Sequence, residues 1–202
     1  MSTEPVTPTP PPPARPAPPS HRSRRIWLVA GVVLVIAVIA FLVTRGGDDN
    51  SSSSSSADGV PVGKPTILSE SALREYGRKQ SLPVYWAGPQ ANRRYEVTKT
   101  KSGRYFVRYL TPKAAVGDSS PRFLTVGTYP GSNAYGALQV VGNRKGAKVI
   151  RTQSGALVVY NQKKPTSVYF AFPGQNFQVE VYDPRAERAR RYVLNGKLQR
   201  VK

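Results

Sequence analysis

Hydrophobic and polar positions divide this chain into four stretches. From Ile26 to Val43 every residue is apolar, with no charge and no proline. Eighteen residues at 1.5 Å each make about 27 Å of helix, close to the roughly 30 Å hydrocarbon core of a bilayer. A helix packed on one side against a small domain's core shows a polar stripe on the other, and this run has none. Trp27 stands at its N-terminal end, where an indole suits the headgroup boundary. The pattern predicts a transmembrane helix over residues 26–43.

Beyond residue 64 the pattern changes to short alternating segments separated by turn residues. A first helix is predicted from a cap at Ser69, with Leu68 and Leu73 stapled around it and Arg78 and Lys79 near its end. Strands follow at Val84 to Ala87 and Tyr95 to Thr100, on either side of a turn at Gly88 to Asn92. Arg104 to Leu110 and Phe123 to Thr128 have the β-branched and aromatic content of strands. Ser132 is the expected cap of a second helix with Leu138 and Val141 on its core side. Two hairpins come next, pairing 148–152 with 156–160 and 167–172 with 177–182. Asp183 and Pro184 then read as cap and first residue of a last helix, which stops at Asn195 and Gly196. Hairpins with about three scattered helices and no regular crossovers predict an α+β domain with a mainly antiparallel sheet.

Composition fills in the remaining stretches. Residues 1–25 hold nine prolines and little that could form a core, the signature of a disordered, partly polyproline II tail. Residues 44–64 are rich in Gly and Ser and form a linker of 21 residues, with an end-to-end distance of about 25 Å. Residues 65–202 carry all eleven tyrosines and are the one stretch long enough for an ordinary core.

Charge sets direction and class of partner. Arg15, Arg22, Arg24 and Arg25 precede the apolar run, whereas only Arg45 follows it closely, ahead of Asp48 and Asp49. The Lys/Arg excess predicts a cytoplasmic N-terminus and an exported C-terminal domain at the plasma membrane. A cleaved signal peptide fits less well, because the preceding tail is long and proline-rich and the run exceeds the usual apolar region. Of 30 Lys and Arg, 24 follow residue 64, against 7 of 11 Asp and Glu, a net of +17 there. That field concentrates anions. An anionic envelope polymer, a lipid headgroup or an acidic protein are the partners it implies, in addition to the bilayer around residues 26–43.

Chemistry is bounded by what is missing. The chain has no cysteine, and its one histidine, His21, lies in the tail. That removes disulfides, thiolate catalysis, Ser-His and Cys-His arrangements and Cys/His metal sites from the domain after residue 64. No H-E-x-x-H, EF-hand or Walker pattern occurs. The expectation is a non-enzymatic module without metal or cofactor. Arg185, Arg188, Arg190 and Arg191 on the last helix are the candidate anion-binding residues, because a guanidinium forks onto phosphate and carboxylate. Lys163 with Lys164 and Arg93 with Arg94 form further basic pairs in loops.

Two alternatives come from other features. Gly103 to Tyr109 shares the glycine and the Phe-Val-x-Tyr end of the RNA-recognition strand motif. It departs from that motif at Ser102, Arg104 and Tyr105, and the element order does not fit that fold. An extracellular nucleic-acid-binding domain using Tyr105 or Tyr109 for stacking is the alternative function. The second is a hydrolase using two carboxylates. Its pair would be Glu96 and Glu180, which occupy matching places in Val84–Val97 and Val168–Val181, segments identical at seven of fourteen aligned positions. A solvent-facing role opposite nearby arginines is the simpler expectation for both. Thr100-Lys101-Ser102-Gly103 and Thr152-Gln153-Ser154-Gly155 form a second echo with a different offset. Similar hairpins choosing similar turn residues, or a pseudo-symmetric pair of subdomains, would each produce such matches.

Overall fold

A computed structural model describes residues 59–202 of the protein. The tail, the apolar run over residues 26–43 and nearly all of the linker lie outside the described residues. Among the described residues no helix is long and apolar enough to cross a membrane.

The domain is α+β: an eight-stranded sheet, antiparallel at every pairing, with three helices and a small two-stranded sheet. The elements in chain order are β1 (Thr66–Leu68), α1 (Glu70–Lys79), β2 (Tyr85–Trp86), β3 (Arg94–Lys99), β4 (Tyr105–Leu110) and β5 (Thr125–Pro130). Next come α2 (Ala134–Gly142), β6 (Ala147–Arg151), β7 (Leu157–Asn161), β8 (Ser167–Ala171), β9 (Phe177–Tyr182), α3 (Ala186–Leu194) and β10 (Gln199–Arg200). The large sheet runs β1-β3-β4-β5-β9-β8-β7-β6. Each half of the chain therefore lays its last strand at the centre and its first at the rim. The halves join along a seam in which Val126 pairs with Val181 and Gly127 with Glu180.

Both faces of the sheet are covered, and strand alternation sorts the side chains between them. Val158 and Tyr160 of β7 belong to the larger core with α1, α3 and the β2·β10 pair. Leu157 and Val159 face the other way, against Ala134 and Leu138 of α2. That is why β7 reads as a continuous apolar run. Trp86 is fully buried in the larger core with its ring edge-on to Tyr95 at 5.6 Å. An indole of this size buries about 150–250 Å², worth about 4–6 kcal/mol by area. Val60 is also buried in this core and Val62 bridges to Lys99, so packing begins ahead of residue 65.

Local signals place the helices well. Ser69 caps α1, its Oγ accepting from the Ala72 amide at 3.1 Å. Glu70 and Lys79 sit at the ends that the helix dipole favours. The cap of α2 is Asn133, one residue after the expected Ser132, with Oδ1 accepting from the Gly136 amide at 3.1 Å. The last helix starts later than its Asp-Pro signal. Asp183 Oδ1 accepts from the Arg185 amide, which closes a turn ahead of the helix, and Ala186 is the first helical residue.

The two sequence echoes resolve differently. Val168–Val181 does form a hairpin, β8 on β9. Val84–Val97 does not: β2 pairs with β10, and β3 pairs with β1 and β4. The hairpin expected across Gly88 to Asn92 is thus corrected. A two-residue strand cannot hold a long hairpin, and the distant segment 199–200 offers it a partner. Glu96 and Glu180 consequently sit on non-equivalent strands. The Thr-x-Ser-Gly echo is shared turn chemistry. In each copy the threonine Oγ1 accepts from the amide four residues on at 3.0 Å. In each, the glycine takes a positive φ, 74° and 81°, that a side chain would strain.

Candidate anion-binding site

A cleft of about 420 Å³ opens where the ends of β3, β4 and β5 meet the start of α3. Three segments build it. The turn before β3 supplies Gln90 and Arg93, the strap of residues 111–122 supplies Lys113 and Arg122, and the start of α3 supplies Arg185 and Arg188. Tyr109, Phe123 and Leu124 form an apolar floor. The Tyr109 hydroxyl is fixed, accepting from the Ala87 amide at 2.6 Å and donating to the Gly88 carbonyl at 3.0 Å.

Five cationic side chains thus converge on one cavity, and the counter-charge is small. Arg188 meets Asp183, Nε to Oδ2, at 3.4 Å, and Arg122 meets Asp118 at 2.6 Å. Arg93, Lys113 and Arg185 have no carboxylate within ion-pair distance among the described residues. Like charges held together around an open cavity make a focused positive potential that an anion relieves. Two carboxylates are spoken for by structure. Asp183 is 2% exposed; its carboxylate accepts from the Arg185 amide ahead of α3, and its own main-chain amide donates to the Thr166 carbonyl just before β8. The Arg122 hydrogen bond, with those from Ser120, holds the Asp118 carboxyl down to about 2, so it stays ionised.

Of the four arginines predicted to bind anions, two line the cleft and two do not. Arg185 and Arg188 face it. Arg190 pairs with Glu187 at 2.7 Å and lies over the Tyr160 ring at 5.7 Å. Arg191 is exposed and lines no part of the cavity. Arg190 is rotated by about 200° from Arg188, whereas Arg191, three positions on, returns toward the same face but stands about one turn further along the helix, past the cleft. Arg93 was legible as a basic loop residue. Its neighbour Arg94 instead donates to the Ala114 carbonyl. Lys113 and Arg122 carried no local signal, since only the course of the strap brings them in. Lys163 and Lys164 sit in an exposed turn closed by Asn161.

The alternatives meet obstacles. Tyr105 and Tyr109 are buried, Tyr105 donating to Gln80 and edge-on to Tyr76, so neither offers a face for a base. Glu96 and Glu180 are buried as well, which corrects the solvent-facing expectation. They share one face of the sheet but stand three strands and two residues apart, about 16 Å by strand spacing. Facing carboxylates of a glycosidase stand at most about 9.5 Å apart. Glu96 instead pairs with Arg108 at 2.8 Å. Glu180 accepts from the Tyr129 hydroxyl at 2.5 Å and the Tyr169 hydroxyl at 2.9 Å, and burial pushes its carboxyl above the usual range. Among the described residues no three His, Cys, Asp or Glu side chains gather as metal ligands.

Compared with protein-family models, curated proteins and solved structures, the chain finds no match, so the cleft is read from its own geometry.

Proposed function

We propose that this protein is a binding module of the cell envelope, anchored by residues 26–43 and holding its basic α+β domain outside the plasma membrane to engage an anionic partner. The observation that carries the reading is the cleft, where Arg93, Lys113 and Arg185 converge without carboxylate partners among the described residues. The partner is a phosphate- or carboxylate-bearing group on an envelope polymer or a lipid headgroup. The apolar run and its flanking charges support the anchor. Burial of Tyr105 and Tyr109 removes the stacking platform that would favour nucleic acid, which then competes only as a polyanion.

The test is a salt-titrated binding panel on the full-length protein in neutral detergent, with anionic lipid vesicles, purified cell-wall polymer, single-stranded DNA and duplex DNA. One ligand should stay bound near physiological salt. On the single-stranded probe, the triple change Arg93→Gln, Lys113→Gln and Arg185→Gln should flatten the log–log salt slope by about 2 if each cation contacts a phosphate. Arg190→Gln with Arg191→Gln should leave the slope unchanged. Equal, weak binding to all four ligands, lost together as salt rises, would sink the reading.

A further inference from the structure

We infer that Glu96, which lines no part of the cleft, is a positioning residue for it, acting through Arg108 and Asp118 on the strap that carries Lys113 and Arg122. The inference rests on the anion-binding reading of the cleft. Residues 111–122 connect β4 to β5 and wrap the end of the sheet. Their two ends line the cleft on the Tyr109 side. Their middle crosses to the opposite face, because Glu96 and Arg108 alternate with Tyr95 and Tyr109 along β3 and β4.

On that face the strap is pinned from beneath. Glu96 is 1% exposed, with one oxygen on Arg108 Nη1 at 2.8 Å and the other accepting the Gly117 amide. Arg108 Nη2 donates to the carbonyls of Asp118 and Ser120. The Asp118 carboxylate then reaches Arg122, whose side chain lines the cleft. Arg94 holds the Ala114 carbonyl beside Lys113. The path runs from a buried carboxylate to a cleft cation through hydrogen bonds and ion pairs, with Asp118 linking them through its own main chain and side chain.

Apart from Arg94 on the Ala114 carbonyl and the Tyr182 hydroxyl, which donates to the Pro121 carbonyl at 2.6 Å, the strap has little else to hold it. It contains no regular secondary structure and most of its side chains are exposed. Its own hydrogen bonds are local turns, Ala114 to Thr111 and Asp118 to Ala115. A loop of this kind keeps cations aimed at a cavity only if something external fixes it; Arg94 and Tyr182 hold its ends, and the Glu96–Arg108 pair holds its middle. A carboxylate that grips a backbone amide and an arginine that grips two carbonyls fix a path, where a simple surface ion pair fixes little.

The test uses the full-length protein, inorganic pyrophosphate as probe and two readouts. Glu96→Gln keeps the shape of the side chain and removes its charge. The expected results are about tenfold weaker pyrophosphate binding and faster amide exchange over residues 113–122, with β3 and β4 still protected. In a background carrying Lys113→Gln and Arg122→Gln, the same change should cost no further affinity, because the strap then has no charge left to aim. A purely structural role would lower affinity equally in both backgrounds and would overturn the inference. Should Glu96→Gln fail to fold, Arg108→Lys tests the same step, keeping charge opposite Glu96 but losing the two carbonyls. Wild-type protein that ignores pyrophosphate at about 1 mM would sink the cleft reading and the inference with it. Tight wild-type binding with unaltered strap exchange in Glu96→Gln would sink the positioning role alone.

Discussion

Gly127 sits in the middle of β5, directly opposite Glu180 across the seam and Phe106 across β4. A Cβ added there would lie 2.9 Å from a ring carbon of Tyr129, and 3.1 Å from a Phe106 ring carbon and from the Tyr129 hydroxyl oxygen. The Tyr129 ring folds back over the glycine so that its hydroxyl reaches Glu180, and Phe106 stacks edge-on against it at 5.6 Å. An aromatic ring covering a strand glycine is a known way to recover packing at that position. For Gly127→Ala the ring must move, and Phe106 blocks the retreat. Overpacking of this sort costs about 1–3 kcal/mol, and the strained or lost Tyr129–Glu180 hydrogen bond adds about 1 kcal/mol. Reduced freedom of the unfolded chain returns about 0.4–1 kcal/mol. The net is a destabilisation of about 2 kcal/mol, or about 6 °C in Tm for a domain of this size. Circular dichroism melts of wild type, Gly127→Ala, Tyr129→Leu and the double variant read both the loss and its cause. With the ring gone, the alanine should be near neutral, a coupling of about 2 kcal/mol. A melt of Gly127→Ala within about 1 °C of wild type, or strict additivity in the cycle, would refute the reasoning.

Three further outcomes are expected. Arg188→Gln removes the cation beside the buried Asp183 and should lower stability by about 2 kcal/mol in chemical denaturation, with Asp183→Asn in the same chain recovering part of it. Glu180 has its carboxyl raised by burial, so its contribution is fully present below about pH 4.5 and is lost as pH rises through the folded value. The Tm difference between Glu180→Gln and wild type should therefore shift in favour of the variant from pH 4 upward, and a constant difference would contradict the assignment. Asp118 behaves in the opposite sense. Its carboxyl is held down to about 2, chiefly by Arg122, so its stabilising effect is present above the ordinary value of 3.8 and fades as pH falls toward 2. The Tm gap between wild type and Arg122→Gln should hold steady above pH 4 and close below it.

What the sequence discloses here follows the range of the interaction. Caps, Gly turns and β8–β9 are written into a few adjacent residues, and Ser69, Gly103 and the Phe177–Tyr182 strand were legible for that reason. The β2·β10 pair was not, because its two partners are short and lie far apart along the chain. Alternation correctly put Glu96 opposite to Tyr95 and Val97, but alternation names a face and not what covers it. Only the strap, folded over that face, makes Glu96 a buried pair partner. Half of the cleft was legible in the same way: Arg185 and Arg188 stand out on one helix, whereas Lys113 and Arg122 gain meaning only when the loop between β4 and β5 has been traced. The periodic spacing over Arg185 to Arg191 does not by itself delimit the cleft, since Arg190 has rotated away and Arg191 stands about one turn beyond it.

The seam between the two halves also sets a timetable for synthesis. Tyr129 and its partner Glu180 are 51 residues apart, which at about 5–20 residues per second is a delay of roughly 3–10 s. If β4 and β5 pair as they emerge, β5 then has its other side open for that interval, and an open strand edge invites pairing with any neighbouring chain. The composition of β5 suits such a wait. Gly127 at its centre lowers its tendency to hold an extended template, and Pro130 at its end offers no amide to an intruder. The residues that make the finished seam fit are thus also those that keep it from closing on the wrong strand.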